Sequence, residues 1–201
     1  GLLNRDLGGP SVHPYQPDGL WEEVSHYGYP SPFSSQKFLP GSGRALYRRS
    51  LYTFWKRTAP PPSMTIFDAP SRETCSVRRE RTNTPLQALT LMNDPQFVEA
   101  ARLLAERALS PGGAIEQTPR GRIESMYRFA FGHEVPDAHE AVLHESYLRF
   151  TEKFGEDPEG AAAFVRTGAS EPMAVDDPVS FASLTMVASQ IMNLDSFISK
   201  Y

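Results

Sequence analysis

Apolar residues recur at helical spacing in four segments of the chain, which comprise residues 85–109, 122–131, 137–154 and 178–193. A stripe of apolar side chains with a period near 3.6 residues predicts a helix that buries one face. Each stripe ends at or near a glycine, proline or asparagine, residues that are typical of helix ends. We therefore expect a mainly α protein whose core is formed by these four stripes.

Three local signals predict a helix start at Thr84. Threonine is a preferred N-cap residue, and Pro85 suits the first helical position because the amide proton that proline lacks would be unpaired there. Gln87 follows the cap by three residues, as in a capping box. We predict that the Thr84 hydroxyl caps this helix.

The helical pattern after Thr84 is interrupted once, at Asn93-Asp94-Pro95. Pro95 lacks an amide proton and disfavours helix at Asp94, so two helices or one kinked helix should meet there. The stripe expected to face the core consists of Leu86, Leu89, Phe97, Ala100, Ala101 and Leu104. The other side carries Glu99, Arg102, Glu106 and Arg107.

Two Asp-Pro pairs predict further helix starts, because Asp157 and Asp177 can each cap a helix that has proline at its first position. The first of these helices should run from Pro158 to about Val165. The core residues expected in the last two long stripes are Val142, Tyr147, Phe150, Phe154, Phe181, Leu184, Val187, Ala188, Ile191 and Met192.

The first half of the chain has a different pattern. Residues 1–43 are rich in Gly, Pro, Ser and Tyr, and segments such as Tyr29-Pro30-Ser31-Pro32 predict loops. One short helix is expected from Asp18 to Ser25, with Asp18 as its cap and Trp21 docked. We predict a loop-rich arm over residues 1–43 that packs on a helical domain over residues 44–201, with one or two short strands possible.

The segment from Arg44 to Thr58 fits both regular structures. The spacing of Tyr47 and Leu51 indicates a helix, whereas Leu51-Tyr52-Thr53-Phe54-Trp55 has the composition of a strand. Helix is the favoured interpretation. Three consecutive prolines then predict an extended path to Pro62, and a short extended segment is expected from Met64 to Phe67.

Composition limits the class of protein. A chain of 201 residues with 40% apolar residues can bury one sizeable core. It contains no apolar run of about 18 residues, so no membrane span is expected in this chain. Because it begins at Gly1 without a basic and apolar leader, we expect a fragment or a processed chain. The single cysteine, Cys75, excludes an internal disulfide.

Charge is segregated along the chain. The net charge is −4, but residues 44–81 contain nine basic and three acidic residues. Such a segment indicates either an anion site or an internal electrostatic seam. Arginine binds sulfate, phosphate or carboxylate through a planar fork, and an adjacent aromatic ring can stack on a sugar. The anion-binding candidates are Arg48, Arg49, Arg78, Arg79, Arg81 and Trp55.

The alternative for these arginines is pairing with internal acids, including Asp68, Glu73 and Glu80. We favour it for at least two of the three arginines at positions 78, 79 and 81, which should then have little accessible surface. Nucleic-acid binding is not expected, because the sequence pI is about 5.8 and the chain has no motif that reads a groove.

Catalytic and metal-binding patterns are weak. His139 and His144 are five residues apart, and His144 with Glu140 would supply only two ligands, so no metal site is expected. Cys75 has no histidine near it in sequence, which predicts a buried or inert thiol. No catalytic residue can be named, and whether the protein is an enzyme stays open.

Several ordered motifs resemble one bacterial family, the planctomycete-type C-terminal domain of unknown function DUF1553, often found with planctomycete cytochrome c domains. The motifs are Gly8–Val12, Pro14–Trp21, Tyr47–Tyr52, Phe67–Pro70, Arg79–Leu89, Met92–Asp94 and Ile191–Phe197. The resemblance implies the C-terminal part of a longer protein that is exported to the periplasm, with upstream domains or a partner chain as its partners.

The function implied is that of an accessory or binding domain in an exported, haem-associated multidomain protein, with anionic polysaccharide as a possible ligand. The alternative is part of an enzyme that acts on sulfated or acidic polysaccharides and has its site completed by upstream domains. No cofactor is expected in this chain. Haem c attachment needs Cys-x-x-Cys-His, so any haem would be held by another segment or a partner.

Overall fold

The structure is a computed structural model that describes residues 2–24, 37–78 and 80–199. The predicted loop Tyr29–Pro32 and the predicted helix end at Ser25 lie outside these residues. Within them the chain is mainly helical, as predicted, and pairing of extended backbone is limited to three isolated bridges. The bridges join Asn4 to Arg48, Val12 to Thr53 and Lys56 to Ala59.

The α-helices of the described ranges are α1 (Leu20–Glu23), α2 (Pro62–Ile66), α3 (Pro85–Asn93), α4 (Pro95–Leu109), α5 (Pro119–Phe131), α6 (Asp137–Glu156), α7 (Pro158–Phe164), α8 (Pro178–Met192) and α9 (Asp195–Ile198). Two 3-10 helices, Gly43–Tyr47 and Ser50–Tyr52, precede α2. Internal contacts divide the chain into two units, Leu2–Gln87 and Ala88–Tyr201.

The unit that begins at Ala88 is built around α8. This helix packs against α4, α5, α6 and α7. Because it has neighbours on several sides, its buried residues are not confined to one stripe, and Ser183 and Thr185 are as inaccessible as Leu184. Their hydroxyls donate to the carbonyls of Val179 and Phe181, so these two hydroxyls are satisfied within the helix. The predicted core residues of this stripe are all buried.

Four helices of this unit begin with a side-chain cap followed by proline. The caps are Asp94, Thr118, Asp157 and Asp177, which accept hydrogen bonds from backbone amides two or three residues further on, at 2.8–3.1 Å. The starts predicted at both Asp-Pro pairs are therefore confirmed. Of the two predicted alternatives, two helices or one kinked helix, the structure has two: α3 ends at Asn93 and α4 begins at Pro95, on either side of Asp94.

The capping box predicted at α3 is confirmed. The Gln87 amide nitrogen donates to Thr84 Oγ1 at 3.3 Å, and the Thr84 amide nitrogen donates to Gln87 Oε1 at 3.0 Å. Two backbone amides of the first helical turn thus donate reciprocally to side chains, and the Gln87 amide also donates to the Thr84 carbonyl oxygen at 3.0 Å. This contact lies in the unit Leu2–Gln87.

Replacing Thr84 with Ala should lower the free energy of unfolding by about 1 kcal/mol, because the Gln87 amide proton then loses its side-chain acceptor and keeps only the Thr84 carbonyl oxygen, at 3.0 Å. Thr84→Ser keeps the hydroxyl and is the matched control. Urea titrations of both variants and the parent measure the effect. Equal stability of the Ala and Ser variants would contradict the cap.

Several predicted core positions and helix bounds are wrong. Leu86 and Leu89 are exposed, and α3 instead buries Gln87 and Leu91. The reason is that the Gln87 side chain turns inward to make the hydrogen bonds described below. In α6, Val142 is exposed while Tyr147 is buried.

The segment from Arg44 to Thr58 is not a regular helix. It contains the two 3-10 helices, because its backbone also pairs with residues 4 and 12 of the N-terminal arm. Residues 64–66, predicted to be extended, belong to α2, which uses Pro62 as its first residue. In α1 the N-cap is Gly19, at a φ of 83°, and not Asp18.

Candidate functional site

Arg48 is a structural residue. Its guanidinium donates to the carbonyl oxygens of Asp6, Gly8 and Pro10 and lies 3.8 Å from the centroid of the Tyr52 ring. These acceptors belong to the N-terminal segment that also bridges to residues 48 and 53. Arg48 therefore holds the arm in place within its unit.

Other basic residues of the segment are engaged by neighbours. Arg57 makes a bidentate contact with Glu73, in which Nε donates to Oε1 at 3.0 Å and Nη2 donates to Oε2 at 2.7 Å. These hydrogen bonds lower the pKa of the Glu73 carboxyl. The pairing predicted for Glu73 thus exists, although on the surface. Arg44 pairs with Asp6 at 3.3 Å.

Aromatic rings anchor the same unit. His13, Phe38 and Phe54 surround the buried Trp21 with ring centroids 5.2–5.9 Å from it, and the Lys56 ammonium lies 4.6 Å from its centroid. Burial lowers the pKa of Lys56. Trp21 is docked as predicted, so its face is used internally.

Trp55, the aromatic candidate, is half-buried, and the Arg72 guanidinium lies 4.6 Å from its ring centroid. This contact is a cation–π interaction, in which the Arg72 guanidinium lies over the Trp55 ring. Arg49 is exposed at the start of the second 3-10 helix. Arg48, Arg49 and Trp55 are not among the described residues that line the cavity presented next.

An open cavity of about 600 Å³ is lined by Arg78, Glu80, Arg81 and Thr82. Arg78 and Arg81 are both exposed, so the prediction that at least two of the arginines at positions 78, 79 and 81 have little accessible surface is wrong. Arg79 lies outside the described residues. The two described arginines thus meet at one concave surface, which is the arrangement expected of an anion site.

The rim of this cavity is held by a polar network that the sequence did not reveal. Both carboxylate oxygens of Asp68 accept hydrogen bonds from Thr82, from its amide nitrogen at 2.8 Å and its hydroxyl at 2.9 Å. Gln87 Nε2 donates to Thr82 Oγ1 at 3.0 Å and to the Ile66 carbonyl at 2.9 Å. One buried amide therefore joins the end of α2, the cavity rim and the start of α3.

Asp68 reaches this position through an unusual backbone. Its φ is 59°, in the left-handed region that asparagine and aspartate tolerate better than most residues. The partner of the Asp68 side chain was not predicted from the sequence. The only available signal was the Thr84–Gln87 spacing, which identifies the cap and not the second contacts of Gln87.

A second polar cluster lies inside the unit that begins at Ala88. Glu99 and Arg102, placed by the helical pattern on the polar side of α4, are buried. Arg102 contacts Glu106 through Nη1, and its Nη2 donates to the carbonyl oxygen of Ser170 at 2.9 Å. The predicted polar face is therefore wrong at these positions, because the segment around Ser170 covers it.

The Ser170 segment also donates hydrogen bonds to one carboxylate oxygen of Glu99. Glu99 Oε1 accepts hydrogen bonds from the amides of Ala169 and Ser170 at 3.1 and 2.6 Å and from the Ser170 hydroxyl at 2.6 Å. Gly168, at a φ of 108°, lies so close that an added Cβ would be 2.4–2.7 Å from Glu99 carbons. This closed and paired cluster has the character of a structural element.

In the described ranges, the histidines and the cysteine that were considered for metal binding or catalysis do not form a group of metal ligands. In the ranges that the structure describes, no three His, Cys, Asp or Glu residues are grouped as metal ligands. His139 contacts the Tyr127 hydroxyl at 3.3 Å, and His133 contacts the Glu134 carbonyl. Cys75, predicted to be buried or inert, is a free thiol and is exposed, so of these two alternatives burial is wrong. Covalent haem c does not fit this single-cysteine chain.

Comparison with known proteins adds one match. A family model described as "PSD1: Protein of unknown function (DUF1553)" matches residues 1–147. No curated protein and no solved structure matches the chain. Among the described helices, none combines the length and apolar character needed to cross a membrane.

Proposed function

Because the chain belongs to the PSD1 family of proteins of unknown function (DUF1553), we propose that it is a binding domain whose basic cavity takes an anionic polysaccharide. The observation that carries the proposal is the meeting of Arg78 and Arg81 at one open cavity. Arg48, Arg57 and Arg72 contact backbone carbonyls, a carboxylate and a ring, and none of them is among the described residues that line this cavity.

The chemistry of arginine favours such a ligand. A guanidinium presents several N–H groups in one plane and binds carboxylate or sulfate with two parallel hydrogen bonds. At an exposed site each contact is weak and screened by salt, so useful affinity requires repeated contacts along a polymer. A polysaccharide with acidic groups on successive sugars supplies those repeats.

The network behind the cavity supports the same function. Thr82 is tied to Asp68 and Gln87, so the backbone that carries Arg81 is fixed before a ligand arrives. A fixed binding surface loses less conformational entropy on association than a mobile one. The Asp68–Thr82–Gln87 network therefore serves as the rigid base of the proposed site.

The resemblance to this family also supports a proposal about the longer protein in which the domain occurs. We place the domain in an exported, haem-associated bacterial protein, in which it presents the ligand to upstream domains or a partner chain. Any haem c would be attached to those segments, because this chain has one cysteine. Haem absorbance and cell fractionation of the natural protein test this part separately from ligand binding.

Replacing Arg78 and Arg81 together with Gln should weaken binding of chondroitin sulfate by about ten- to a hundredfold at low salt, the loss expected for two charge-assisted contacts. The residual binding should also depend less steeply on salt, because fewer counterions are displaced. Isothermal titration calorimetry at several salt concentrations measures both quantities, and circular dichroism verifies the fold.

The matched control is an exposed arginine of the other unit, Arg166, changed to Gln. It removes positive charge without touching the cavity and should change binding less than about twofold, within the range of surface substitutions. Equal losses in the control and the double variant would show a general charge effect and refute the site. So would the absence of binding by the parent chain.

A further inference from the structure

The cavity is not uniformly basic. Glu80 lies between the two arginines in sequence and lines the same cavity. Among the described residues its carboxylate has no hydrogen-bond or ion-pair partner, although pairing with arginine was the expected role. A bare carboxylate in an anion site repels a ligand that carries only negative charge and only acceptors.

Thr82 does not offset this carboxylate with a free proton. Its hydroxyl donates to Asp68 at 2.9 Å and accepts from Gln87 Nε2 at 3.0 Å. A hydroxyl has one proton, so Thr82 has none left to donate to a ligand. The cavity therefore offers donors at Arg78 and Arg81 and a strong acceptor at Glu80.

From this pattern we propose that the cavity selects acidic sugars with free hydroxyl groups, and that Glu80 is the residue that determines this specificity. The arginines take the carboxylate or sulfate of the sugar, while Glu80 accepts hydrogen bonds from its hydroxyls. Inorganic polyphosphate at neutral pH carries charge but few donors, so Glu80 rejects it. This inference rests on the proposed function and adds the chemistry of the ligand.

The mechanism of selection is a difference between two affinities. A polar group that is left without a partner on binding disfavours the wrong ligand more strongly than an extra contact favours the right one. Polyphosphate would leave Glu80 desolvated and unpaired beside phosphate oxygens. A hydroxylated acidic sugar instead donates hydrogen bonds to the Glu80 carboxylate.

The test compares polygalacturonate, chondroitin sulfate and long-chain polyphosphate on the full 201-residue chain and on Glu80→Gln. Glutamine keeps the size and one acceptor oxygen but removes the charge. We expect polyphosphate to bind Glu80→Gln about tenfold more tightly than the parent, while both glycans bind equally or more weakly, which lowers the ratio of glycan to polyphosphate affinity by about tenfold or more. The two glycans distinguish carboxylate from sulfate as the acidic group.

Glu159→Gln, an exposed glutamate in α7, is the charge-matched control and should leave the ratio unchanged. Polygalacturonate with acetylated hydroxyls gives a second measurement, because it keeps its carboxylates and loses its donors. The parent should bind it several-fold more weakly than the free polymer, and Glu80→Gln should discriminate less.

The outcomes separate this inference from the proposed function. If no glycan binds the parent, or if the double arginine variant binds as the parent does, the proposed function fails. If glycans bind through the arginines but Glu80→Gln strengthens all three polymers by the same factor, Glu80 acts only as a repelling charge and the specificity proposal is overturned. Equal binding of free and acetylated polygalacturonate by the parent would overturn it as well.

Discussion

Arg102→Ala should lower the free energy of unfolding by about 3–5 kcal/mol, because it leaves the buried Glu99 carboxylate without its cation. The same substitution removes the two hydrogen bonds from the guanidinium to Ser170, at 2.9 and 2.6 Å. The main effect is the uncompensated charge, since isolated surface ion pairs contribute less than about 1 kcal/mol. Urea unfolding followed by far-ultraviolet circular dichroism measures the loss.

Arg149 offers a matched control for this substitution. Like Arg102 it pairs with a glutamate one helical turn away, Glu145, but both side chains are exposed. Arg149→Ala should change stability by about 0.5 kcal/mol or less. If Arg102→Ala does not fold, Arg102→Lys is the alternative variant. Lysine keeps the positive charge but lacks the planar guanidinium, so the loss in free energy of unfolding should lie between those of Arg102→Ala and Arg149→Ala. A loss at position 102 no larger than that at position 149 would contradict the buried network.

Gly168→Ala should destabilise the chain by about 2–6 kcal/mol, from two separate causes. A φ of 108° is strained for any residue with a side chain, at a cost of about 1–3 kcal/mol. The added Cβ would also be 2.4–2.7 Å from carbons of Glu99, and relieving such overlap costs about 1–3 kcal/mol. Because Glu99 is buried, its side chain has little room to move aside.

Gly132→Ala isolates the first cause. Gly132 ends α5 with a φ of 81°, but a Cβ there would meet nothing within 4 Å. Its substitution should cost about 1 kcal/mol, the backbone contribution alone. If the two variants lose the same stability in parallel urea titrations, the close approach of Gly168 to Glu99 is not a real constraint.

What could be predicted from the sequence is what depends on neighbours within a few residues. The Asp-Pro starts, the Thr84 box and the end of α5 at Gly132 each involve atoms of one helical turn, and all are observed. The burial of Glu99 depends on a segment about 70 residues away, as shown by its bond to Ser170. A helical pattern assigns charged residues to the solvent side and has no information about a later segment that covers them.

The candidate site shows the same limit. The charge segregation correctly drew attention to the basic segment, but it could not tell Arg48, whose donors are taken by the arm, from Arg78, which lines a cavity. That distinction depends on tertiary contacts of irregular backbone. Glu80 was named among the acids that could pair internally with these arginines, and the structure places it in the lining of the cavity. Its position in the cavity is what gives the site a proposed selectivity.

The distribution of tryptophan has a practical optical consequence. Trp21 and Trp55, the two tryptophans of the sequence, both lie in the unit Leu2–Gln87, each with a cationic side chain 4.6 Å from its ring centroid. The four longest helices lie in the unit that begins at Ala88. Tryptophan fluorescence therefore reports on the unit Leu2–Gln87, which contains the cavity. Far-ultraviolet ellipticity reports mainly on the unit that begins at Ala88, which contains the buried Arg102. The natural chain thus carries an intrinsic fluorophore for each ligand titration and a separate signal for unfolding, with no label attached to either.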